Sequence, residues 1–294
     1  MPSCGIIVSM HQKPTIAIMY DFDKTLTTRD MQEYTFIPKL GMEAPSFWAK
    51  ANALAQKEEM DSILAYMKLM LDESKRRSQP IRRSDFVALG SNLEFFPGVF
   101  SWFETIDKVG EKLGLIIDHY IISSGLREII EGSEVGSCFK RIYASEYLYD
   151  ENDVAVWPKL SVNYTAKTQF LFRINKGVLD VFEDKKLNNY TPENSRPVPF
   201  TNMIYIGDGL TDVPCMKLVK NNGGKSIAVH KQGDMDTCHQ LMREQRIDFF
   251  AEADYSEDKQ LFALVSTILS KMQADNLLSM EHQRMASDAG KALS

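Results

Sequence analysis

Short runs of apolar residues recur along the chain, most of them ending at a polar residue or a glycine. Five of them stand at residues 15–20, 119–122, 141–144, 202–206 and 226–229. Runs that are apolar almost throughout, rather than alternating with polar residues, are typical of strands buried on both faces. We therefore predict that these runs form the strands of a parallel sheet.

Between these runs the apolar residues recur at the spacing of a helix. This pattern predicts helices over residues 98–113, 126–131 and 166–176. Strands that alternate with helices indicate a doubly wound α/β domain.

Residues 31–96 interrupt the alternation, because their pattern predicts helices only, at 46–56, 57–74 and 82–89. A connection of this length between a strand and the next helix is unusual, since such loops are normally short. We therefore expect residues 31–96 to form a small helical domain over the strand ends, and residues 1–30 and 97–294 to form the α/β core. The alternative is that these helices pack directly on the sheet.

Three further segments have recognisable patterns. Residues 146–157 predict a β-hairpin around a polar turn, and residues 181–199, which contain three prolines, predict a surface loop. The chain from residue 256 predicts a helix to about residue 272, followed by a polar tail that frays.

The composition is that of an ordinary soluble globule, with 44% hydrophobic and 25% charged residues among 294 and a net charge of −6. This charge disfavours nucleic acid as a partner, and no apolar run is long enough to span a membrane. The four cysteines are scattered, which favours free thiols in a reducing compartment. With only a short apolar patch at residues 5–8, a secretory signal is not expected, and we predict a cytoplasmic protein. The oligomeric state is left open.

Acidic and hydroxyl side chains follow the predicted strands where those strands end. Asp21 and Asp23 follow the first strand, Ser123 the second, and Asp208 and Asp212 the fourth. In an open parallel sheet, ligands bind outside the carboxyl ends of the strands. Clustered carboxylates there favour a hard divalent cation such as Mg²⁺, beside which one carboxylate can attack phosphorus and another can act as an acid. Taken singly, Asp23 and Ser123 can also be helix N-caps.

Three segments resemble signatures of the haloacid dehalogenase superfamily. They are Asp21-Phe22-Asp23-Lys24-Thr25, Ile121-Ile122-Ser123-Ser124-Gly125 and Gly207-Asp208-Gly209-Leu210-Thr211-Asp212, in the order that the superfamily has. The resemblance implies an α/β fold with a Rossmann-like parallel sheet core and an inserted α-helical cap domain. The layout resembles the phosphoserine-phosphatase branch.

The resemblance also implies roles for individual residues. Asp21 would be the nucleophile and a Mg²⁺ ligand, while Asp23 would be the general acid and base and offer its backbone carbonyl to the metal. Ser123 would bind the transferring phosphoryl group. Asp208 would ligate Mg²⁺ directly. Asp212 would support the Mg²⁺ site without being a direct ligand, or would bind the ion through a water molecule. The backbone N–H groups that would face the phosphate are those of Phe22, Asp23 and Ser124.

Two assignments rest on weaker patterns. The superfamily's lysine has little sequence context: Lys167 starts a predicted helix at the expected place, while Lys176 stands closer in sequence to Asp208. We favour Lys167, because a positive charge is unfavourable at a helix N-terminus and so suits a site that needs it. Asp30 stands where phosphoserine phosphatases place an acid facing the substrate amine, although it can equally be an N-cap of the next helix.

Together these features predict a Mg²⁺-dependent phosphatase that hydrolyses a small phosphomonoester through an aspartyl-phosphate. The alternatives are a phosphomutase or phosphotransferase of the same superfamily, and a phosphate-binding module without turnover. Residues 23–27 also resemble the phosphorylation motif of P-type ATPases, but Leu26 stands where those pumps have glycine, and membrane spans are not predicted. A receiver domain would be much shorter, and true dehalogenases lack the second acid that Asp23 supplies.

Overall fold

The apolar runs of the sequence become neighbouring strands in the computed structural model, which describes residues 13–34 and 36–291. The strands of the sheet are β1 (Thr15–Tyr20), β2 (Ile116–Leu126), β3 (Arg141–Tyr149), β4 (Ala155–Leu160), β5 (Met203–Gly207), β6 (Lys225–His230) and β7 (Phe249–Glu252). Their order is β4-β3-β2-β1-β5-β6-β7, and all neighbours are parallel except β3 and β4. This confirms the predicted α/β class with its Rossmann-like parallel core.

Helices cover the sheet on both sides and fill the long connection after β1. They are α1 (Met31–Tyr34), α2 (Phe36–Lys39), α3 (Ala44–Lys57), α4 (Ser62–Arg76), α5 (Arg83–Leu89), α6 (Val99–Leu113), α7 (Arg127–Glu131), α8 (Lys167–Lys176), α9 (Asp184–Asn188), α10 (Val213–Asn221), α11 (Asp236–Arg243) and α12 (Gln260–Lys291). Within the described ranges, a helix with both the length and the apolar character needed to cross a bilayer is not found.

The central strand β1 sits where the strand order changes direction. From β1 the chain proceeds through β2 and β3 on one side, and it returns through β5 and β6 on the other. Residues 16–20 are fully buried, as expected of a strand with layers on both faces. A crevice forms outside the carboxyl ends of strands at such a point. Asp21, Asp23, Ser123 and Asp208 line a cavity in this region.

The helical segment leaves and rejoins the core through paired backbone. The N–H of Thr28 donates to the carbonyl of Glu94 (2.9 Å), and the N–H of Phe96 donates to the carbonyl of Leu26 (2.9 Å). These bonds hold the entry and the exit of α1–α5 side by side. The division into a core and a separate domain at residues 31–96 stays a prediction.

Tyrosines connect the helical segment to the sheet. The hydroxyl of Tyr147 on β3 donates to the carbonyl of Met67 on α4 (2.8 Å), and its ring stacks on Phe86 of α5 at 5.5 Å and an interplanar angle of 4°. Both rings are buried in an apolar cluster that also includes β1 side chains. An aromatic pair of this kind stabilises by about 0.5–1.5 kcal/mol beyond its burial.

Strands β3 and β4 form the predicted hairpin, with Tyr149 opposite Ala155 near the turn. Strand β2 is longer than predicted, because it continues through the second signature to Leu126. Its parallel pairing with β3 shifts register between Ile122 and Leu126. Ser123 and Ser124 therefore stand on an irregular part of the strand and not after its end.

The C-terminal helix is the clearest difference from prediction. Residues 273–291 continue α12 in place of the predicted fraying tail. Good helix formers dominate this stretch, and ion pairs such as Lys271–Asp275 (2.5 Å) and Arg284–Glu281 (2.6 Å) support the exposed face. Helices α10 and α11 and the short edge strand β7 were not predicted, and the predicted loop at 181–199 contains α9.

Candidate active site

The turn after β1 brings two carboxylates to the carboxyl edge of the sheet. The N–H of Asp21 still pairs with β5, donating to the carbonyl of Ile206 (2.9 Å), and the N–H of Leu26 closes the turn on the carbonyl of Phe22 (2.9 Å). Phe22 is fully buried and anchors this turn. Asp21 and Asp23 flank that anchor, and both line the cavity above the sheet.

Three carboxylates meet at this edge. Asp21, Asp208 and Asp212 each present an oxygen within 4.8 Å of the others. Asp212 reaches this position because Gly207 has no side chain, since a Cβ at Gly207 would clash with the Asp212 carboxylate. The Oδ2 atom of Asp212 is buried and has no hydrogen-bond partner. Oxygens so arranged are the ligands that a hard divalent cation prefers.

Lys167 lies between two of these acids. Its Nζ is 2.7 Å from Oδ1 of Asp212 and 3.0 Å from Oδ1 of Asp21, and the side chain is 1% exposed. Lys176, at the other end of α8, instead donates to the carbonyls of Leu187 (2.7 Å) and Asn189 (2.9 Å). Of the two lysines considered, the structure therefore brings Lys167 to the cluster.

The cluster holds more negative charge than Lys167 offsets. Burial, followed by the charge of Asp212, raises the pKa of Asp21 to about 6. Burial, followed by the charges of Asp212 and Asp21, raises the pKa of Asp208 to about 8. Burial alone would lower the pKa of Lys167, but Asp21 and Asp212 outweigh it and the pKa is raised. A bound cation would relieve this excess charge, so the residues fit a divalent metal.

Asp23 stands apart from the three clustered acids. Its carboxylate accepts a hydrogen bond from the N–H of Met31, the first residue of α1 (2.8 Å). Gly125 leaves room for this contact, because a Cβ there would clash with the Met31 side chain and lie 2.9 Å from Asp23 Oδ2. Burial, followed by the charges of Asp30 and Asp21, raises the pKa of Asp23 well above its usual range. Burial and the neighbouring negative charges therefore favour the protonated form of the Asp23 carboxyl group.

The second signature contributes polar groups to the same cavity. Ser123 Oγ is buried and accepts a hydrogen bond from the N–H of Gly125 (3.0 Å), so the hydroxyl can donate its own proton into the cavity. Ser124 also lines the cavity, and its Oγ is buried without a partner. The N–H of Phe22, expected to face a phosphate, donates to Oδ1 of Asp21 (2.8 Å) in this structure.

A cavity of about 370 Å³ opens from these residues toward the helical segment. Asp30 lines it, but its carboxylate accepts a hydrogen bond from Lys24 Nζ at 2.6 Å. The first amide of α1 is capped by Asp23, not by Asp30. Asp30 thus lines the cavity with its charge paired with Lys24, and its role toward a substrate amine stays a prediction.

Sequence reasoning missed residues whose contacts depend on distant elements. The hydroxyl of Tyr205 donates to Oδ1 of Asp212 (2.8 Å), the oxygen that Lys167 also contacts. Its signal was a tyrosine inside an otherwise apolar strand, because a buried hydroxyl needs a partner. The helical segment supplies cavity-lining side chains that no motif indicated, namely Gln32, Trp48, Asn52, Ile63 and Tyr66.

Comparison with known families gives a match over most of the chain. The model of the family described as haloacid dehalogenase-like hydrolase matches residues 18–217, which is 200 of the 294 residues. An uncharacterised protein of Borreliella burgdorferi (strain ATCC 35210 / DSM 4680 / CIP 102532 / B31) is 28% identical over 274 residues, covering 84% of this chain and 94% of that protein.

Solved structures share the fold at low sequence identity. A hydrolase of the same family from Salmonella enterica subsp. enterica serovar Typhi has a TM-score of 0.55 and 16% identity, over 87% of this chain and 72% of that one. A substrate-bound phosphoserine phosphatase has a TM-score of 0.54 and 13% identity, over 87% of this chain and 99% of that one. The chain therefore has the fold of the phosphoserine phosphatases.

Proposed function

Because the chain belongs to the family of haloacid dehalogenase-like hydrolases, we propose that it is a Mg²⁺-dependent phosphatase that hydrolyses a small phosphomonoester through an aspartyl-phosphate. The observation that carries the proposal is the setting of Asp21. Its carboxylate lines the cavity with Oδ1 at 3.0 Å from Lys167 Nζ, and a second carboxyl group, that of Asp23, lines the same cavity. In the proposed reaction one acid would attack phosphorus and the other would exchange protons.

In the first step a carboxylate oxygen of Asp21 attacks phosphorus, and the bond from phosphorus to the ester oxygen breaks. Asp21 can do this at neutral pH because its pKa of about 6 leaves it largely ionised. Asp23, with its pKa raised well above the usual range, gives its proton to the departing oxygen, so an alcohol leaves. The product on the enzyme is an acyl phosphate on Asp21.

In the second step Asp23 and Asp21 reverse their roles: Asp23 accepts a proton, and Asp21 is released from phosphorus. Asp23, now ionised, accepts a proton from a water molecule as that water attacks the phosphorus. The bond between phosphorus and Asp21 breaks, inorganic phosphate leaves, and both carboxyl groups return to their starting states. Lys167 offsets negative charge throughout, and Ser123 donates its hydroxyl proton to a phosphoryl oxygen.

The metal site uses residues already described. Asp21, Asp208 and Asp212 would hold Mg²⁺, with the backbone carbonyl of Asp23 as a further ligand. When bound, Mg²⁺ supplies positive charge that lowers the cost of bringing a phosphate dianion to a carboxylate. The cation also explains why three acids can be kept together in a buried cluster.

The test is hydrolysis of p-nitrophenyl phosphate by the purified protein, with EDTA and then with added Mg²⁺. We expect turnover that needs the cation and disappears in Asp21→Asn, which keeps the size of the side chain but removes the nucleophile. Turnover after exhaustive chelation would reject the metal, and turnover above a few per cent in Asp21→Asn would reject the nucleophile.

The same assay separates the alternatives. A phosphotransferase or phosphomutase would pass the phosphoryl group to an added alcohol or sugar phosphate faster than to water, whereas a binding module would retain phosphate without turnover. We further propose a cytoplasmic location, supported by Cys138, Cys215 and Cys238, which are free thiols.

A further inference from the structure

Part of the cavity lining, here called the aromatic wall, consists of aromatic and uncharged polar side chains. Trp48, Tyr66 and Tyr164 line it together with the carboxamides of Gln32 and Asn52. If the proposed phosphatase reaction holds, we infer that the leaving group of its substrate is an alcohol that carries a flat aromatic or heteroaromatic ring and no charge.

The Trp48 ring is held in place before any ligand arrives. Its Nε1 donates to Oε1 of Glu33 (3.0 Å), and its ring meets Phe47 edge to face at a centroid distance of 5.2 Å. It also meets Tyr66 edge to face, at 5.8 Å and an interplanar angle of 78°. A fixed aromatic surface favours a second flat ring, because stacking loses little rotational freedom.

Tyr66 fixes the position of this wall relative to the reacting groups. Its hydroxyl donates to the carbonyl of Ser124 (2.8 Å), next to the predicted phosphate contact Ser123. The aromatic wall and the phosphate end of the cavity are therefore held by one hydrogen bond across the α4–β2 contact. We therefore place a ring, attached to the ester oxygen by a short link, against this wall.

Charged leaving groups lack a counter-charge here. Among the described residues that line the cavity, the lysines are Lys24 and Lys167. Lys167 is committed to Asp21 and Asp212, and Lys24 is paired with Asp30 at 2.6 Å. A free carboxylate on the substrate would meet neither an arginine nor an unpaired lysine, and an amine would have to displace Lys24 from Asp30. Phosphoserine, which carries both groups, fits this wall poorly.

The size of the cavity agrees with a ring. The cavity has a volume of about 370 Å³ and is large enough to hold several water molecules. A phosphate on a two-carbon or three-carbon alcohol would leave much of that space to water. A ring would displace that water and cover the apolar side chain of Ile63, which also lines the wall.

The experiment compares three phosphate esters of primary alcohols with the Mg²⁺-loaded protein. They are 2-phenylethyl phosphate, its saturated counterpart 2-cyclohexylethyl phosphate, and O-phosphoserine. We expect kcat/KM for the phenyl ester to exceed that for the cyclohexyl ester by about fivefold or more, as stacking of a flat ring on an aromatic side chain produces, and phosphoserine to be slowest. A cyclohexyl ester that is hydrolysed as fast as the phenyl ester, or phosphoserine as the fastest substrate, would overturn the inference.

Substitutions of Trp48 test whether the aromatic wall causes the preference for the phenyl ester over the cyclohexyl ester. Trp48→Leu should bring the phenyl and cyclohexyl esters to equal kcat/KM, whereas Trp48→Phe should keep a preference. Trp157→Leu, the same substitution at a position that is 68% exposed on β4, is the matched control and should keep the full preference. A preference that survives Trp48→Leu would reject the role of Trp48.

Measurements of ligand binding test the aromatic wall independently of the proposed phosphatase reaction. If neither these esters nor p-nitrophenyl phosphate is hydrolysed, the phosphatase proposal fails. Calorimetry with 2-phenylethyl phosphonate and 2-cyclohexylethyl phosphonate then tests the wall alone. Tighter binding of the phenyl compound, reduced in Trp48→Leu, supports the aromatic site, and equal binding of the two compounds rejects it.

Discussion

The carboxylate of Asp23 accepts a hydrogen bond, 2.8 Å long, from the backbone N–H of Met31. Asp23 belongs to the turn after β1, and Met31 is the first residue of the helical segment. The Asp23 carboxylate therefore contacts the segment that also lines the cavity. The packing around Met31 therefore helps to set the position of the Asp23 carboxylate.

Asp23→Asn should separate the two roles of this side chain, which are to accept the hydrogen bond from Met31 and to donate a proton. The amide oxygen can still accept from Met31, but the proton is lost. We expect an alkyl phosphate to lose about 10²–10⁴-fold in kcat, because its leaving oxygen is basic, and p-nitrophenyl phosphate to lose much less in the first step. Burst kinetics on p-nitrophenyl phosphate measure that step. Equal losses on both substrates would show that Asp23 is not the acid.

Gly125→Ala should disturb the same contact without replacing a titratable residue. The added Cβ would clash with the Met31 side chain and crowd Asp23. We expect a loss of about 1–3 kcal/mol in the free energy of unfolding, as overpacking produces, together with slower hydrolysis of alkyl phosphates. Gly209→Ala is the control for stability, because a Cβ there meets nothing within 4 Å. An unchanged midpoint of urea unfolding in Gly125→Ala would contradict the packing argument.

Lys167→Met should reduce turnover by at least about 10²-fold, as loss of a charge that stabilises the transition state does. The variant leaves Asp21 and Asp212 without the ammonium group that both contact. Circular dichroism therefore checks that the variant folds, and a Mg²⁺ titration of its activity checks whether it needs more of the ion. Lys176→Met, in the same helix, should change turnover little, because its Nζ donates to carbonyls near α9. Similar losses in both variants would remove the distinction between the two lysines.

Tyr205→Phe should cost stability through one hydrogen bond. Its hydroxyl donates to Oδ1 of Asp212 within the buried core, and a bond to a charged group contributes about 1.5–3 kcal/mol. Tyr120→Phe is the matched control, since the Tyr120 hydroxyl is also on a core strand but its contact with Asp118 is long, at 3.4 Å. Urea unfolding of the two variants gives the comparison. A loss in Tyr205→Phe no larger than in Tyr120→Phe would contradict it.

The acid cluster should make stability depend on pH in the absence of a cation. The folded-state pKa of Asp208 is about 8 against the usual 3.8, so the folded protein binds the proton more tightly than the unfolded chain does. The free energy of unfolding in EDTA should then fall as the pH rises from about 4 to 8. Asp208→Asn should be more stable than the wild type at pH 8 by at least about 1 kcal/mol, with a smaller difference at pH 4.

Mg²⁺ provides the control for this measurement. Because a ligand that binds only the folded protein stabilises it, Mg²⁺ should raise the melting temperature of the wild type at pH 8 more than that of Asp208→Asn. A wild-type melting temperature that is the same from pH 4 to 8 in EDTA would contradict the electrostatic account.

Local patterns predicted the core of the fold well, and the reason is physical. Strands buried on both faces must be apolar throughout, so β1, β5 and β6 were visible as runs of residues. The short edge strand β7 is only half buried and carries no such pattern. The extent of α12 was missed, because its last turns are exposed and depend on helix propensity and local ion pairs, not on an apolar face.

The sequence by itself determined where the acids stand. Asp21, Asp23 and Asp208 follow apolar runs, and parallel strands end at one edge of the sheet, so the sequence alone predicts that these three residues lie at that edge. Only the tertiary structure decided which lysine reaches them. Lys167 and Lys176 lie at opposite ends of one helix, and the packing of α8 beside β2 directs the first of them to Asp212.

The tertiary structure also decided what surrounds the reacting groups. The local sequence pattern does not distinguish some important aromatic residues from other residues of amphipathic helices or strands. These are Trp48, Tyr66 and Tyr147, and their contacts include residues on other elements of the fold. Apolar periodicity predicts that a side chain is buried, but it does not predict which residues that side chain packs against. The acids were therefore readable from the chain, whereas the aromatic wall and the bond from Met31 to Asp23 exist only once the helical segment has packed on the sheet.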